Sequence, residues 1–217
     1  MKKDLTELVF ILDMSGSMSN LTDDTIGGFN SVLREHAARD GEVLVTTYLF
    51  NNESKMLHDR VPIREVRAMT SKDYVASGCT ALLDAMGEAI EHIAGIHHYA
   101  RQEDIPEHTI FIITTDGMEN ASHHFSSETI KKMVSCQQEQ SCWEFIFLAA
   151  NIDAVETAEQ YGIDAPLAVD YLADSAGTET AYASVSSAIK SIRIGKNVRA
   201  DKTWREKADE DYQKRGK

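Results

Sequence analysis

The pattern of apolar positions divides the chain into short hydrophobic runs separated by longer amphipathic stretches. The first run, residues 8–12, is unbroken and predicts a strand that is buried on both faces. Five later runs rich in apolar and β-branched residues predict the rest of a sheet. The six predicted strands cover residues 8–12, 43–50, 54–61, 109–115, 143–150 and 167–171.

The amphipathic stretches between these runs have the 3.6-residue period of helices. The clearest example places Leu82, Met86, Ile90 and Ile93 on one face, which predicts a long helix after Thr80. N-capping residues and acidic first turns mark the start of other helices. The predicted helices begin near residues 22, 80, 126, 153 and 178, and a short helix is expected within residues 64–73.

The alternation of strands and helices predicts an α/β fold of three layers. We expect a doubly wound, mainly parallel six-stranded sheet with helices on both faces. The connection at residues 51–53 is too short for a crossover, so the third strand should run antiparallel to the second. The expected strand order is 3-2-1-4-5-6, which places the first and fourth strands side by side.

Polar side chains follow these two adjacent strands where each one ends. Asp13, Ser15 and Ser17 come directly after the first strand, and Asp116 follows the fourth. Thr80 adds a hydroxyl at the start of the long helix. Carboxylate and hydroxyl oxygens are hard ligands, which suit Mg²⁺ or Mn²⁺. Because the carboxyl ends of parallel strands meet at one edge, topology brings Asp13 and Asp116 together.

These three motifs resemble the metal-ion-dependent adhesion site of von Willebrand factor A domains, with five positions matched: Asp13, Ser15, Ser17, Thr80 and Asp116. The resemblance covers about the first 190 residues and is of the stand-alone bacterial type. It implies that the serines and the threonine contact the metal and that the aspartates bind it directly or through water. Mg²⁺ or Mn²⁺ is the expected ion, and Ca²⁺ is less suited.

Side chains that follow Asp116 are expected to stand at the edge of this site. Glu119, His123 and His124 are interpreted as solvated loop residues without a direct role in metal binding. Cys79, next to Thr80, is interpreted as a small buried filler.

The resemblance implies a protein-binding module that captures an acidic side chain of a partner through its metal, and not an enzyme. One alternative is a Mg²⁺-dependent phosphatase of the haloacid-dehalogenase type, which also has an aspartate after its first strand. Those enzymes need a second aspartate as acid and base where this chain has Ser15. A second alternative is a scaffold whose metal is purely structural.

The charge distribution limits the possible partners. The chain of 217 residues has a net charge of -13, which argues against a nucleic-acid surface. Residues 1–192 are expected to form the α/β domain. Residues 193–217 form either a charged C-terminal tail or a docked helix, because Ala200, Trp204, Ala208 and Tyr212 recur every four residues.

Location is predicted from apolar segments and cysteines. No apolar run approaches the roughly 20 residues that span a bilayer, so no membrane contact is expected. The start at Met1 is too acidic and its apolar run too short for a signal peptide. Three cysteines, Cys79, Cys136 and Cys142, are expected to be free buried thiols in a reducing compartment. The predicted location is the cytoplasm.

Overall fold

A computed structural model describes residues 1–216, and Lys217, the last residue of the predicted tail, lies outside the described residues. The described part contains six strands and six α-helices. The strands are β1 (Lys2–Asp13), β2 (Glu42–Phe50), β3 (Ser54–Pro62), β4 (Pro106–Thr115), β5 (Glu144–Ala149) and β6 (Ala168–Asp170). The helices are α1 (Thr22–Ala37), α2 (Leu82–Tyr99), α3 (Ser127–Ser141), α4 (Ala154–Gln160), α5 (Ser175–Arg193) and α6 (Glu206–Arg215).

The sheet has the predicted topology. Its order is β3-β2-β1-β4-β5-β6, and β3 alone among these strands pairs in the antiparallel sense. Leu12 of β1 pairs with Leu49 on one side and with Thr114 on the other. The expected fold class is therefore confirmed, and the ends of β1 and β4 are neighbours.

Helices cover both faces of this sheet. α1 and α5 pack against each other on one face, whereas α2, α3 and α4 form the layer on the other. The residues at 8–12 are fully buried between the two layers, as the unbroken apolar run predicts. Within residues 1–216, the helices are all too short or too polar to cross a bilayer.

Strand β1 begins six residues earlier than the apolar run indicates. Its first half contains Glu7, which is fully buried although it is an acid. Arg60 Nε contacts one carboxylate oxygen of Glu7 at 2.6 Å, and His97 Nε2 contacts the other at 2.6 Å. Because both partners are distant in sequence, the apolar pattern alone could not reveal that this acid lies inside a strand.

The prediction of a short helix within residues 64–73 is wrong. This segment forms turns and extended chain. The Asp73 carboxylate accepts hydrogen bonds from the backbone N–H and the hydroxyl of Thr70 at 2.9 and 2.7 Å, and from Arg67 Nη1 at 2.9 Å. Such side-chain to backbone bonds compete with the helical hydrogen-bond pattern.

The C-terminal segment packs on the edge of the sheet. Trp204 and Ala208 are buried, and Trp204 Nε1 donates to the carbonyl of Val198 at 3.0 Å. α6 contacts α5 and β6. Arg205 Nη1 donates to the backbone carbonyls of Ala165, Pro166 and Ala168, so its guanidinium satisfies polar groups beside this edge strand.

Between α1 and α5, one buried histidine makes the fold sensitive to acid. His36 is 1% exposed, its Nε2 lies 3.1 Å from Ser186 Oγ, and Arg193 and Arg39 are nearby cations. Burial lowers the pKa of His36 to about 4 despite the opposing charge of Glu35. In the unfolded chain His36 therefore binds a proton near pH 6.5, whereas in the folded chain it binds one only near pH 4.

We expect the contribution of His36 to the free energy of unfolding to be fully present above pH 6.5. It should fall by about 3 kcal/mol as the pH decreases towards 4, because only the unfolded chain binds the proton in that range. The test is urea unfolding of the unchanged chain and of His36→Gln at pH 7 and pH 4.5. The variant should lose less stability between the two pH values. His98→Gln, at an exposed position, is the control and should behave as the unchanged chain. Equal pH dependence in all three proteins would contradict the prediction.

Candidate metal centre

The five predicted site residues lie together at the carboxyl edge of the sheet. Asp13 is the last residue of β1, and Asp116 follows directly after β4. Asp13, Ser15, Thr80 and Asp116 are buried, whereas Ser17 is exposed. We call these five residues the candidate metal centre.

Asp13 is held by groups from the turn that follows it, from β4 and from the loop before α2. Its Oδ1 accepts the backbone N–H of Ser15 at 2.7 Å, and its Oδ2 accepts the hydroxyl of Thr115 at 2.6 Å. The Tyr74 hydroxyl donates to the Asp13 backbone carbonyl. These contacts fix the carboxylate and the end of β1 in one position.

A row of oxygen atoms connects the two loops that leave β1 and β4. The hydroxyls of Ser15 and Ser17 lie 3.0 Å apart, and Ser17 Oγ donates to Asp116 Oδ1 at 2.5 Å. The serines belong to the tight turn after β1, whose Gly16 N–H donates to the carbonyl of Gly78 at 3.0 Å. The side chains of Ser15, Ser17 and Asp116 therefore converge on one point.

Thr80 joins the same group from the loop before α2. A Cβ placed on Gly117 would lie 3.8 Å from Ser17 Oγ and 3.9 Å from Thr80 Oγ1, so both hydroxyls flank one point. The backbone N–H of Thr80 donates to Asn120 Oδ1 at 2.9 Å, and the N–H of Asn120 returns a bond to the Thr80 carbonyl at 3.1 Å. This reciprocal pair ties Thr80 to the loop that carries Asp116.

The turn between β2 and β3 supports the loop that carries Thr80. Asn52 Oδ1 accepts the backbone N–H of Cys79 at 2.9 Å. Gly78 has φ +76, and a Cβ there would lie 2.1 Å from Asn52 Oδ1. Glycine is required at this position because a side chain would strain the backbone and collide with Asn52.

Glu119 and Asp84 fix the loop after β4 against the start of α2. Glu119 accepts the backbone N–H groups of Ala121 and Ser122 with one oxygen and that of Leu83 at 2.9 Å with the other. In return, Asp84 accepts the N–H groups of three consecutive loop residues, 123–125, at 2.8 to 2.9 Å. Although partial burial raises the pKa of Asp84, these donors lower it overall.

The sequence does not reveal these supporting roles. It predicts that Glu119 is a solvated residue at the edge of the site, whereas its carboxylate is half-buried and bonded to backbone groups. The only local signal was the acid in the first turn of α2, Asp84. The side chains of His123 and His124 are exposed, as expected.

The electrostatics of the centre fit a cation. Burial raises the pKa of both Asp13 and Asp116, and the charge of Asp116 raises that of Asp13 further. Among residues 1–216, neither carboxylate has a Lys, Arg or His partner in an ion pair. Two buried carboxylates without a counter-ion are costly, and a divalent ion that also used the three hydroxyls would remove this cost.

The centre is poor in acidic ligands. In the described part of the chain, no three His, Cys, Asp or Glu side chains cluster in a way that could hold a metal. The candidate centre offers two carboxylates and three neutral hydroxyls. A cation bound there would keep a strong attraction for an additional negative ligand.

The prediction that the three cysteines are buried is wrong. Cys79, Cys136 and Cys142 are all free and exposed. Cys79 lies on the loop before α2, and Cys142 follows α3 with φ 54. Cys136 lies outside the buried stripe of α3, which is formed by Ile130 and Val134.

Comparisons with known proteins identify the fold. The sequence matches no protein-family model and no curated protein. Among solved structures, a variant of the PilB minor pilin from Streptococcus sanguinis matches with TM-score 0.62 at 8% identity, over 91% of this chain and 64% of the pilin. A von Willebrand factor type A protein from Catenulispora acidiphila matches with TM-score 0.54 at 13% identity, over 85% of this chain and 42% of that protein.

A third match is the manganese-loaded TRAP protein of Plasmodium vivax, with TM-score 0.55 at 15% identity, over 82% of this chain and 72% of that protein. This chain spans less than two thirds of the length of the pilin and of the Catenulispora protein. At these identities the likeness concerns the fold alone. The chain has the von Willebrand factor type A fold, as its three motifs predict.

Proposed function

We propose that this chain is a metal-dependent protein-binding module that captures an acidic side chain of a partner protein. The observation that carries the proposal is the convergence of three hydroxyl-bearing side chains on two buried carboxylates that have no counter-ion within residues 1–216. Asp13, Ser15, Ser17, Thr80 and Asp116 would hold the ion. When bound, a divalent cation supplies positive charge to a carboxylate that approaches from outside.

The surface around the centre favours an acidic partner. The loops at residues 14–21 and 74–81 contain no Asp, Glu, Lys or Arg, although the chain carries a net charge of -13. Residues 117–122 contain one acid, Glu119, whose oxygens already accept backbone hydrogen bonds. Local repulsion of an incoming carboxylate is therefore weak compared with that at the rest of the surface.

The small size of the centre favours Mg²⁺ or Mn²⁺ over Ca²⁺. The contacts that hold Asp13 and Asp116 come from short side chains on tight turns, which leave little freedom for the larger coordination shell of Ca²⁺. The manganese-loaded TRAP protein supports the same interpretation, because it shares the fold. Binding is proposed in place of phosphatase chemistry because Ser15 cannot act as the second catalytic acid.

Two serines in one turn provide a matched test. Ser17 donates to Asp116, whereas Ser19 is exposed and lies outside the candidate centre. We expect Ser17→Ala to weaken Mn²⁺ binding at least about tenfold, and Ser19→Ala to leave it unchanged, in isothermal titrations of the metal-free chain. Equal affinities in both variants would contradict the proposed centre.

Partner capture is tested with two peptide libraries that share one design. One library carries a fixed glutamate, and the other carries glutamine at the same position. The Mn²⁺-loaded chain should retain only the glutamate peptides, and a chelator should release them. Equal retention of both libraries, or retention that survives the chelator, would instead support a scaffold with a structural metal.

A further inference from the structure

One residue in the loop after β5 has a backbone conformation that is unfavourable for most side chains. Asn151 has φ +59, in the left-handed region. Asparagine tolerates this region better than most residues, but it still favours right-handed backbone. A left-handed residue persists where the contacts around it require that conformation. The conformation of Asn151 therefore indicates a specific contact.

The loop after β5 lies directly beside the loop that carries Asp116. Ala149, the last residue of β5, pairs with Thr115, the last residue of β4. The pairing continues one step beyond the strands, because the backbone N–H of Ala150 donates to the carbonyl of Thr115 at 3.1 Å. Asn151 is therefore adjacent to Asp116, the first residue after β4.

The side chain of Asn151 binds the backbone of Asp116. Its Nδ2 donates to the Asp116 carbonyl at 3.3 Å. That carbonyl belongs to the same peptide unit as the N–H of Gly117, which donates to Thr115 Oγ1 at 3.3 Å. The peptide between Asp116 and Gly117 is therefore held at both ends, its N–H by Thr115 and its carbonyl by Asn151.

This peptide needs support because a glycine follows it. Glycine adopts φ of either sign, so the peptide before Gly117 can rotate from one turn type to another at little steric cost. Rotation would break the bonds to Asn151 and Thr115. The Thr115 hydroxyl also donates to Asp13 Oδ2 at 2.6 Å. The orientation of this one peptide is therefore linked to both carboxylates of the candidate metal centre.

The exposure of Asn151 argues against a packing role. An exposed side chain buries little apolar surface, so Asn151 does not stabilise the fold in that way. Glycine would adopt the left-handed backbone more easily, so the turn alone does not need asparagine. The part of Asn151 that glycine lacks is the amide, and the amide is the part that binds Asp116.

We infer that Asn151 is a positioning residue for the candidate metal centre, because its amide locks the peptide between Asp116 and Gly117 and so directs the Asp116 carboxylate at the ion. This inference rests on the proposed function. Ser17 Oγ donates to the carboxylate of Asp116 at 2.5 Å, whereas Asn151 holds the backbone of the same residue. An aspartate fixed at both places loses less conformational freedom when an ion binds, which strengthens binding.

A purely structural role for Asn151 makes a different prediction. If the residue only formed the turn after β5, glycine would replace it without loss, and the affinity for metal would stay the same. A positioning role predicts weaker metal binding in Asn151→Gly although the protein remains folded and nearly as stable.

The experiment compares the unchanged chain, Asn151→Gly and Cys142→Gly, each prepared without metal. Isothermal titration with Mn²⁺ gives the dissociation constants, and melting temperatures of the metal-free proteins report folding. We expect Asn151→Gly to bind Mn²⁺ at least about fivefold more weakly, with a change in melting temperature of at most about 4 °C. Cys142 is also left-handed, with φ +54, but precedes β5 at the opposite edge of the sheet. Cys142→Gly is therefore the matched control and should bind Mn²⁺ as the unchanged chain does.

Amide hydrogen exchange of the metal-free proteins reports on the peptide itself. The N–H of Gly117 should exchange about fivefold faster in Asn151→Gly than in the unchanged chain, because the peptide is then held at one end only. In Cys142→Gly, the N–H of Gly117 should exchange at the unchanged rate. Equal exchange rates of Gly117 in all three proteins would overturn the inference, whether or not the chain binds metal.

The outcomes separate this inference from the function on which it rests. If the unchanged chain shows no saturable Mn²⁺ binding, the proposed function fails and the inference falls with it. If the unchanged chain binds Mn²⁺ and Asn151→Gly binds equally well, only the inference fails. Equal weakening in Asn151→Gly and Cys142→Gly would also overturn it, since the effect would then belong to glycine at any left-handed position.

Discussion

Asp13→Asn is expected to abolish saturable binding of Mg²⁺ and Mn²⁺, with a loss of at least about a hundredfold in affinity. The amide removes one of the two buried negative charges of the centre but keeps the shape of the side chain. The substitution also replaces an unpaired buried carboxylate by a neutral group, so the metal-free variant should melt no lower than the unchanged chain.

The melting temperature measures this effect directly. A ligand at one hundred times its dissociation constant stabilises the folded state by about 2.7 kcal/mol, which corresponds to about 5–10 °C for a chain of this size. Added Mn²⁺ should therefore raise the melting temperature of the unchanged chain and leave that of Asp13→Asn where it was. Asp23→Asn, at an exposed position in the first turn of α1, is the control and should respond as the unchanged chain does. If Mn²⁺ stabilises Asp13→Asn as strongly as it stabilises the control, Asp13 does not belong to the metal centre.

Removal of the chain after Ile194 should destabilise the whole domain. The deleted segment contains the buried Trp204 and Ala208, and Arg205 with its bonds to backbone carbonyls beside β6. Loss of a buried tryptophan alone costs about 3–5 kcal/mol, so we expect the melting temperature to fall by at least about 10 °C. An unchanged melting temperature would show that this segment does not stabilise the fold.

Substitutions of Trp204 separate the effect of its side-chain packing from the effect of deleting the whole segment. Trp204→Ala should lower the free energy of unfolding in urea by about 3–5 kcal/mol. Trp204→Phe keeps most of the apolar contact and loses the bond from Nε1 to Val198, so its effect should be smaller. Equal effects of the two substitutions would indicate that the hydrogen bond dominates over packing.

The sheet and the candidate centre were predictable because their signals are local. The apolar run at residues 8–12 and the motif from Asp13 to Ser17 adjoin each other in the sequence. The strand order then follows from general rules of crossover connections, and it brings Asp116 next to Asp13. Thr80 was added by the resemblance of the three motifs to the metal-ion-dependent adhesion site, because strand order alone does not place it.

The features that the sequence could not predict depend on contacts between distant residues. Glu7 can lie inside β1 because Arg60 and His97 contact its buried carboxylate, and neither partner is close in sequence. Glu119 bonds to Leu83 across 36 positions. A solvated loop acid and a structural one have the same local sequence, so only the fold distinguishes them.

The wrong prediction about the cysteines has a different cause. Cysteine is usually buried in proteins, and that tendency gave the expectation for Cys79. The position of Cys79 on a loop at the carboxyl edge of the sheet overrides it, because the backbone there is held by Asn52 while the side chain faces solvent.

The exposure of Cys79 also makes the chain convenient for spectroscopy. Its thiol is one residue from Thr80, whereas Cys136 and Cys142 lie at α3, on a different part of the surface. With those two replaced by serine, a single environment-sensitive fluorophore can be attached beside the candidate centre. The emission of such a conjugate would follow the arrival of an ion or a partner in real time, in a chain that otherwise keeps its own sequence.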